Sequence, residues 1–467
     1  MKKVLLTIIF CLVAVATVVL FTRLYEHEAE VASDRALPVW IESDSLAAIH
    51  SRLLYDFPWT VDEARPVLKE RYPGITDQEI DSFISKKYIE TLNIDGELRV
   101  HRKAPRNLAL LNPAMSGETG RGDTARPERI AYVDSVLAYQ RGNLPTGAAH
   151  EVTFRFSVEV PFNEALAGDT LRVWLPLPLG SDQVDYQGNV EILEASAPYL
   201  RADSLLAGAD VDFHNSIFMT APAPAAEGDT AVFSYTGRYV AMGKYVSPND
   251  IEAALRPYDT ESELYRHYTS FDGPHYVRLD SLARAIVGDE TNPLKQSRLV
   301  FDFIQDNYPW AGAREYSTID CIPTYVVEEG HGDCGQVTLL YISLMRSLGV
   351  PARWVSGWML HPGEVNYHDW GATYFEGIGW VPVDVSFGRY LNARDPQAKY
   401  FYNTGIDSWR MCINTGVGMP MLPAKQFVRS ETVDFQAGEV ECSKGNLFYP
   451  GWDCDLEIIS AVPVQKP

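Results

Sequence analysis

The segment from Ile319 to Gly388 constrains the fold more than any other part of the chain. After Cys334, apolar residues recur at steps of three and four, the period of an amphipathic helix. Gly349 then provides a C-terminal cap, and Pro351 prevents the helix from continuing. Because residues 329–333 form a glycine-containing loop, Cys334 is predicted on the first turn of a buried helix.

A β-hairpin is predicted after this helix. Residues 366–375 are rich in aromatic and β-branched side chains, and their alternation places His368 and Trp370 on one face. The turn residues 376–379 lead into a returning strand that ends near Asp384. A helix and two strands can therefore bring one cysteine, one histidine and one aspartate together.

These three residue types suit thiol chemistry. A helix N-terminus favours an anion. The position of Cys334 at the start of the helix is therefore predicted to lower the pKa of its thiol. Asp384 can hold the His368 imidazole in one tautomer while the other nitrogen faces Cys334. Asp369 is the alternative orienting carboxylate, but neighbouring strand residues point to opposite faces, so Asp384 is preferred.

The same residues resemble the transglutaminase-like branch of the papain-like cysteine enzymes, over roughly residues 280–387. The pieces that carry the resemblance are residues 332–335, residues 348–357, the pair His368-x-Trp370 and the strand Trp380-x-Pro382-x-Asp384. The resemblance implies Cys334 as nucleophile, His368 as general base and acid, and Asp384 as the orienting residue. It also implies attack on a carboxamide or peptide carbonyl through a thioester.

Tyr325 and Trp370 are predicted to support the reaction, although the sequence signals for them are less direct. The Cys334 N–H is the natural first donor to an oxyanion. The resemblance implies a second donor upstream, for which Tyr325 is the candidate. Trp370 is expected to shield a thiolate–imidazolium pair from water, which would strengthen their attraction.

The rest of the chain is predicted to form further domains. Residues 44–143 are predicted to be helical, with a capping box from Thr76 to Glu79. Residues 146–245 alternate apolar and polar side chains between Gly-Asp turns and are predicted to form an antiparallel β-sandwich. Residues 250–430 would then be the catalytic domain and 431–467 a C-terminal extension of strands.

The predicted fold class is therefore α+β. A papain-like transglutaminase core, in which the helix bearing the cysteine packs on an antiparallel sheet, follows a β-sandwich and an N-terminal helical region.

The N-terminal residues predict export. Lys2 and Lys3 precede an apolar run from Val4 to Phe21, so residues 1–22 are predicted to be a signal peptide or a membrane anchor, and 23–43 a linker. The expected location is periplasmic, cell-surface or membrane-anchored.

Export determines how the cysteines are interpreted. Beyond Cys11 they are Cys321, Cys334, Cys412, Cys442 and Cys454. Four are expected to form disulfides and Cys334 to stay free. The alternative is a structural bond between Cys334 and Cys321.

Composition and spacing exclude other classes of partner. The net charge of −22 has the wrong sign for neutralising phosphates, so nucleic acid is not expected. His331, Cys334, His361 and His368 could be taken for a metal site, but they lack the usual zinc spacing. No metal and no cofactor are expected, and the expected partner is a protein or peptide substrate.

The predicted function is that of an exported cysteine peptidase or amidase acting through a Cys-His-Asp triad. One alternative is a cross-linking transglutaminase, which shares every step up to the thioester. The other is a non-catalytic binding protein on the same fold.

Overall fold

The structure is a computed structural model that describes residues 41–116, 127–145, 147–205 and 212–465. The predicted signal peptide or anchor at 1–22, and the linker at 23–43 apart from its last three residues, lie outside the described residues.

Several helix starts are fixed by side chains that cap unpaired backbone N–H groups. Thr76 and Glu79 form the capping box that the sequence predicted, and Asn292 caps the helix that begins at Pro293. The helices are α1 (Ser45–Asp56), α2 (Val61–Arg71), α3 (Asp77–Ser85), α4 (Ala104–Leu111), α5 (Pro113–Ser116), α6 (Pro127–Gln140), α7 (Pro248–Ala254), α8 (Glu263–Thr269), α9 (Asp280–Val287), α10 (Pro293–Asn307), α11 (Ile322–Glu329), α12 (Cys334–Ser347) and α13 (Pro396–Lys399).

The strands pair antiparallel throughout the described residues. They are β1 (Ile41–Glu42), β2 (Trp59–Thr60), β3 (Thr91–Ile94), β4 (Glu97–Val100), β5 (Ala149–Pro161), β6 (Thr170–Pro176), β7 (Glu191–Ala195), β8 (Tyr199–Leu205), β9 (Phe213–Pro222), β10 (Thr230–Met242), β11 (Lys244–Tyr245), β12 (Ala352–Met359), β13 (Asn366–Phe375), β14 (Gly379–Val383), β15 (Gly405–Ile406), β16 (Arg410–Asn414), β17 (Glu439–Cys442), β18 (Gly445–Leu447) and β19 (Asp453–Pro463).

One sheet runs through regions that the sequence assigned to different domains. Its order is β1-β18-β17-β6-β9-β16-β12-β13-β14, with β8 on the side of β9. A second sheet has the order β19-β5-β10-β7 and therefore also combines a C-terminal strand with the predicted sandwich. The predicted boundaries at 146–245, 250–430 and 431–467 thus do not coincide with the edges of the sheets.

The helix that carries Cys334 is buried along most of its length. The apolar side chains of α12 between Val337 and Met345 pack into one core with Trp354 of β12 and Trp370 of β13. A second core lies between the two large sheets. A smaller one, around Leu68, Ile80 and Leu108, holds the N-terminal helices.

The local predictions for this core are confirmed. Helix α12 begins at Cys334, and Gly349 follows it with a φ of 74°, a conformation that favours glycine. β13 and β14 pair from Gly371–Val383 to Phe375–Gly379, which is the predicted hairpin. Among the described residues, no helix combines the length and apolar character needed to cross a bilayer.

Candidate active site

Cys334 is held at the start of α12 by a capping box on the preceding residue. The Asp333 carboxylate accepts from the Gln336 N–H at 3.1 Å, and the Gln336 side-chain oxygen accepts from the Asp333 N–H at 3.1 Å. These bonds fix the first turn, and Cys334 itself stays partly exposed. Cys334 is therefore less deeply buried than most of the residues that follow it on α12.

The thiol lies beside strand β13 at the residue that follows His368. Cys334 Sγ is 3.8 Å from Asp369 Oδ2. On the other side, Tyr316 Oη donates to Asp333 Oδ1 at 2.5 Å. A Cβ on Gly335 would lie 2.3 Å from Tyr316 Oη and 2.6 Å from Asp369 Oδ2, so only glycine fits there.

His368 and Asp384 form a direct pair across the hairpin. His368 Nε2 is 2.7 Å from Asp384 Oδ2, and both side chains are buried. Since Asp384 occupies Nε2, Nδ1 is the ring nitrogen left to exchange a proton with a thiol. Asp369 turns toward Cys334 and Gln436 instead, and its Oδ1 accepts from Gln436 Nε2 at 2.7 Å.

The Asp384 carboxylate is surrounded by donors. Its Oδ1 accepts from Ser386 Oγ at 2.8 Å and from the N–H groups of Ser386 and Phe387 at 3.2 and 3.1 Å. Its Oδ2 lies 3.1 Å from Arg410 Nη2, in addition to His368. These contacts leave the carboxylate one orientation, the one that meets the imidazole.

Arg410 links this carboxylate to a second buried one. Its Nε and Nη2 donate to Asp407 Oδ2 at 3.1 and 3.0 Å. Tyr402 Oη donates to the same oxygen at 2.6 Å, and His361 Nε2 lies 3.2 Å from Asp407 Oδ1. Asp384 is therefore part of a buried network and is not an isolated acid.

Electrostatics favour the neutral form of the thiol and imidazole when no substrate is bound. Burial raises the pKa of the Cys334 thiol well above its ordinary value, and the carboxylates of Asp333 and Asp369 act in the same direction. Burial also lowers the pKa of His368, against the opposing effect of Asp384. The lower Cys334 pKa predicted from the helix start is thus wrong, because desolvation and nearby carboxylates outweigh the helix terminus.

Asp384 stays ionised in spite of its burial. Burial alone would raise its pKa, but the charges of His368 and Arg410 overcome that effect and hold the pKa below its ordinary value. A carboxylate whose pKa is held low can stabilise an imidazolium formed on His368.

Aromatic side chains cover the imidazole. The Trp370 ring is stacked at 5.9 Å from the His368 ring, and the Phe387 ring meets it edge-on at 5.0 Å. Trp370 is fully buried, and its Nε1 donates to Tyr186 Oη at 3.1 Å. Its expected part in shielding a thiolate–imidazolium pair stays a prediction.

Tyr325 lies in other surroundings. Its ring is 6.2 Å from the His331 ring and 5.2 Å from the Arg314 guanidinium, and burial together with Glu90 raises its pKa well above the ordinary value. The upstream aromatic side chain beside the helix start is Tyr316.

The cysteines are not paired as predicted. Cys321, Cys334, Cys412, Cys442 and Cys454 are all free thiols. Cys442 lies on β17 of the ten-stranded sheet, whereas Cys454 lies on β19 of the other large sheet, where its Sγ contacts Tyr367 Oη at 2.6 Å. The expectation of two disulfides is therefore wrong, and the alternative bond between Cys334 and Cys321 is wrong as well.

The histidines considered for a metal site have separate surroundings. His361 pairs with Asp407, and His331 packs against Tyr325. Within the described ranges, no group of three or more His, Cys, Asp and Glu side chains is arranged to hold a metal ion.

Sequence reasoning missed Arg410, Ser386, Tyr316 and Gln436. Ser386 follows Asp384 by two positions, a spacing typical of a carboxylate that accepts from its own turn, and this signal could have been used. The other three come from separate segments, and no local pattern connects them with the site.

A cysteine at a helix start, packed against an antiparallel sheet that carries an imidazole–carboxylate pair, defines the α+β core of transglutaminase-like proteins. Residues 280–385 match the sequence profile described as the Transglutaminase-like superfamily. This segment of the chain is therefore similar to that superfamily.

Two relatives are similar in sequence. An uncharacterized protein of Haemophilus influenzae is 24% identical over 370 residues, which covers 67% of this chain and 93% of the relative. The uncharacterized protein YebA of Bacillus subtilis is 27% identical over 132 residues, covering 24% of this chain and 18% of YebA.

Two solved structures are also similar. One is a suspected cysteine protease from Cytophaga hutchinsonii, with a TM-score of 0.41 and 16% identity, covering 68% of this chain and 92% of that one. The other is the periplasmic domain of TgpA from Pseudomonas aeruginosa, with a TM-score of 0.23 and 15% identity, covering 60% of this chain and 98% of that domain.

Proposed function

We propose that this protein is an exported cysteine-dependent hydrolase that cleaves peptide or glutamine-type amide bonds through Cys334, His368 and Asp384. The observation that carries the proposal is the 2.7 Å pair of His368 and Asp384 on the hairpin against which the Cys334 helix start is packed. The superfamily match of residues 280–385 supports it.

In the first half of the reaction, His368 Nδ1 takes the proton of the Cys334 thiol as Sγ attacks the amide carbonyl carbon. The carbonyl π electrons move to oxygen and give a tetrahedral oxyanion, for which the Cys334 N–H is one donor. When the oxyanion collapses, the C–N bond breaks, and the leaving nitrogen takes the proton from His368. The product of this half is a thioester on Cys334 and a free amine.

In the second half, His368 removes a proton from water while the water oxygen attacks the thioester carbon. The C–S bond then breaks, the proton returns to sulfur, and a carboxylic acid is released. A primary amine in place of water would give a new amide, which is the transglutaminase outcome.

The resting electrostatics fit this order of events. Because the pKa of Cys334 is raised and that of His368 is lowered, proton transfer is expected together with attack rather than before it. Asp384 then stabilises the imidazolium as it forms, since its own pKa is held low.

The test uses the full chain, a peptide mixture and a labelled primary amine, analysed by mass spectrometry. New peptide ends are expected, whereas deamidated glutamines would indicate an amidase and amine adducts a transglutaminase. Cys334→Ala and His368→Ala should abolish turnover. Cys321→Ala is the matched control, because Cys321 is likewise a half-buried cysteine with a free thiol next to a helix start. Turnover that survives Cys334→Ala would refute the role of Cys334, whereas the absence of any turnover by the wild type would favour the non-catalytic binding protein.

Export is part of the proposal and rests on the two lysines and the apolar run at residues 4–21. Expression of the full chain in a bacterium, followed by fractionation and N-terminal sequencing of the product, tests it. A shortened N-terminus indicates a signal peptide, whereas an intact N-terminus in the membrane fraction indicates an anchor. An intact protein in the cytoplasm would contradict export.

A further inference from the structure

A cavity of about 270 Å³ lies beside the candidate active site. One side is formed by Leu110 at the end of α4 and by Tyr308 and Trp310 after α10; the other by Phe387, Arg389 and Leu391 after β14. Trp310 and both leucines are exposed at the surface, so the cavity has an apolar entrance.

The walls of the cavity are continuous with the site. Ser386 and Phe387, which line it, are the residues whose donors hold Asp384, and the Phe387 ring packs on His368. Gly332 and Val337 also line it: Gly332 immediately precedes the cap of α12, and Val337 lies on the first turn after Cys334. A chain held at Cys334 can therefore place a neighbouring side chain in this cavity.

The cavity carries no uncompensated charge. Among the described residues that line it, Arg389 is the one ionisable side chain at neutral pH, and its guanidinium pairs with Asp302 at 3.3 Å and with Asp306. A lining with a neutralised cation and several apolar walls disfavours an acidic or basic occupant, which would lose its hydration without gaining a partner.

We infer that this cavity binds one large apolar side chain, preferably an aromatic one, of the peptide or protein substrate next to the bond that is attacked. The volume is below the 300 Å³ or so at which pockets for whole small molecules usually begin, which suits a single side chain. The rings of Tyr308, Trp310 and Phe387 provide aromatic contacts. This inference rests on the proposed function and adds the substrate class.

The first test compares pairs of peptides that differ only by Phe or Gly at each position around the cleaved bond. At one position, kcat/KM is expected to be about 10- to 100-fold higher for Phe, the range that corresponds to burial of one aromatic side chain. Leu391→Trp and Leu110→Trp, each at a surface position, should fill the cavity and reduce that preference to less than about 3-fold. Leu193→Trp, on the exposed surface of β7, is the matched control and should leave it unchanged.

The second test is independent of turnover. Cys334→Ala in the full chain should bind the Phe peptide more tightly than the Gly peptide, measured by calorimetry, and adding Leu391→Trp should remove the difference. Cleavage that depends on Cys334 without a Phe preference would overturn the cavity assignment and leave the proposed function intact. Tighter binding of the Phe peptide without any cleavage would support the cavity assignment and overturn the proposed function. Equal binding of both peptides by Cys334→Ala would overturn the inference directly.

Discussion

Replacement of Arg410 tests the electrostatic basis of the site. Arg410 is 2% exposed and lies between two fully buried carboxylates, Asp384 and Asp407. Its donors reach both at 3.0 to 3.1 Å, and its guanidinium lies 4.3 Å from the centre of the Phe387 ring. Arg410→Met keeps the apolar volume but leaves two buried negative charges without their common cation.

The expected cost is large. Removing one partner of a buried ion pair typically destabilises a protein by about 3–5 kcal/mol, because the remaining charge is buried and uncompensated. Total stabilities are about 5–15 kcal/mol, so the variant should be marginal at pH 7. Arg410→Lys keeps the charge but cannot donate in a fork to both acids, and about 1–2 kcal/mol is expected from the lost hydrogen bonds.

The pH dependence of the free energy of unfolding distinguishes the loss of the Arg410 charge from the loss of its packing. In the wild type, the pKa values of Asp384 and Asp407 are depressed, so their stabilising contribution is present above the unfolded value near 3.8 and is lost as the pH falls through the folded values. Without Arg410, the folded pKa values rise, and protonation relieves the buried charges. The stability deficit of Arg410→Met should therefore be smaller at pH 5 than at pH 7.

Urea unfolding at both pH values measures the deficit, and kcat/KM on a cleaved peptide measures the positioning of Asp384, with a loss of about 100-fold expected for a small displacement. Arg65→Met is the control. Arg65 contacts the carboxylates of Asp62, Asp77 and Asp81, but these are exposed, and less than about 1 kcal/mol is expected. A deficit for Arg410→Met below 1 kcal/mol, or one of equal size at both pH values, would refute the reasoning.

Three further predictions each concern one buried or closely packed residue. The rate of Cys334 alkylation by iodoacetamide in the resting protein should still be rising above pH 9, because burial raises the thiol pKa; a plateau reached at mildly acidic pH would contradict this. His214→Gln should flatten the pH dependence of stability: burial lowers the His214 pKa to about 3, so its contribution is complete above the unfolded value near 6.5 and falls as the pH drops. Urea unfolding at pH 5.5 and 7.5 should show about 1.4 kcal/mol less acid destabilisation in this variant. Gly335→Ala should cost about 1–3 kcal/mol by thermal unfolding and also impair turnover, because the new Cβ would meet Tyr316 Oη and Asp369 Oδ2; a fully stable and active variant would show that both neighbours can move.

The parts of the fold that the sequence predicted correctly are those fixed by local chemistry. Helix α12 could be predicted from an apolar period with a cysteine at one end and Gly349 and Pro351 at the other. The hairpin could be predicted because residues 376–379 form its turn, with Gly377 and Gly379 at positive φ. In both cases the determining residues are neighbours in the chain.

The parts that were missed depend on which strands become neighbours. β16 pairs with β12 on one side and bridges to β9 on the other, and this position brings Arg410 to Asp384. No alternation or spacing around residue 410 shows that relation. The four cysteines expected to form disulfides are free, and Cys442 and Cys454, although close in the chain, belong to different sheets.

The continuous sheet also shows why the site needs more than the segment that matches the superfamily. That segment ends at residue 385, directly after Asp384. The donors that fix the Asp384 carboxylate, apart from His368, come from Ser386, Phe387 and Arg410, all beyond that point. Since Arg410 lies on a strand held between β12 and β9, the orientation of the acid depends on strands of the predicted sandwich. The sandwich therefore contributes to the geometry of the site by fixing β16, even though none of the three candidate catalytic residues lies in it.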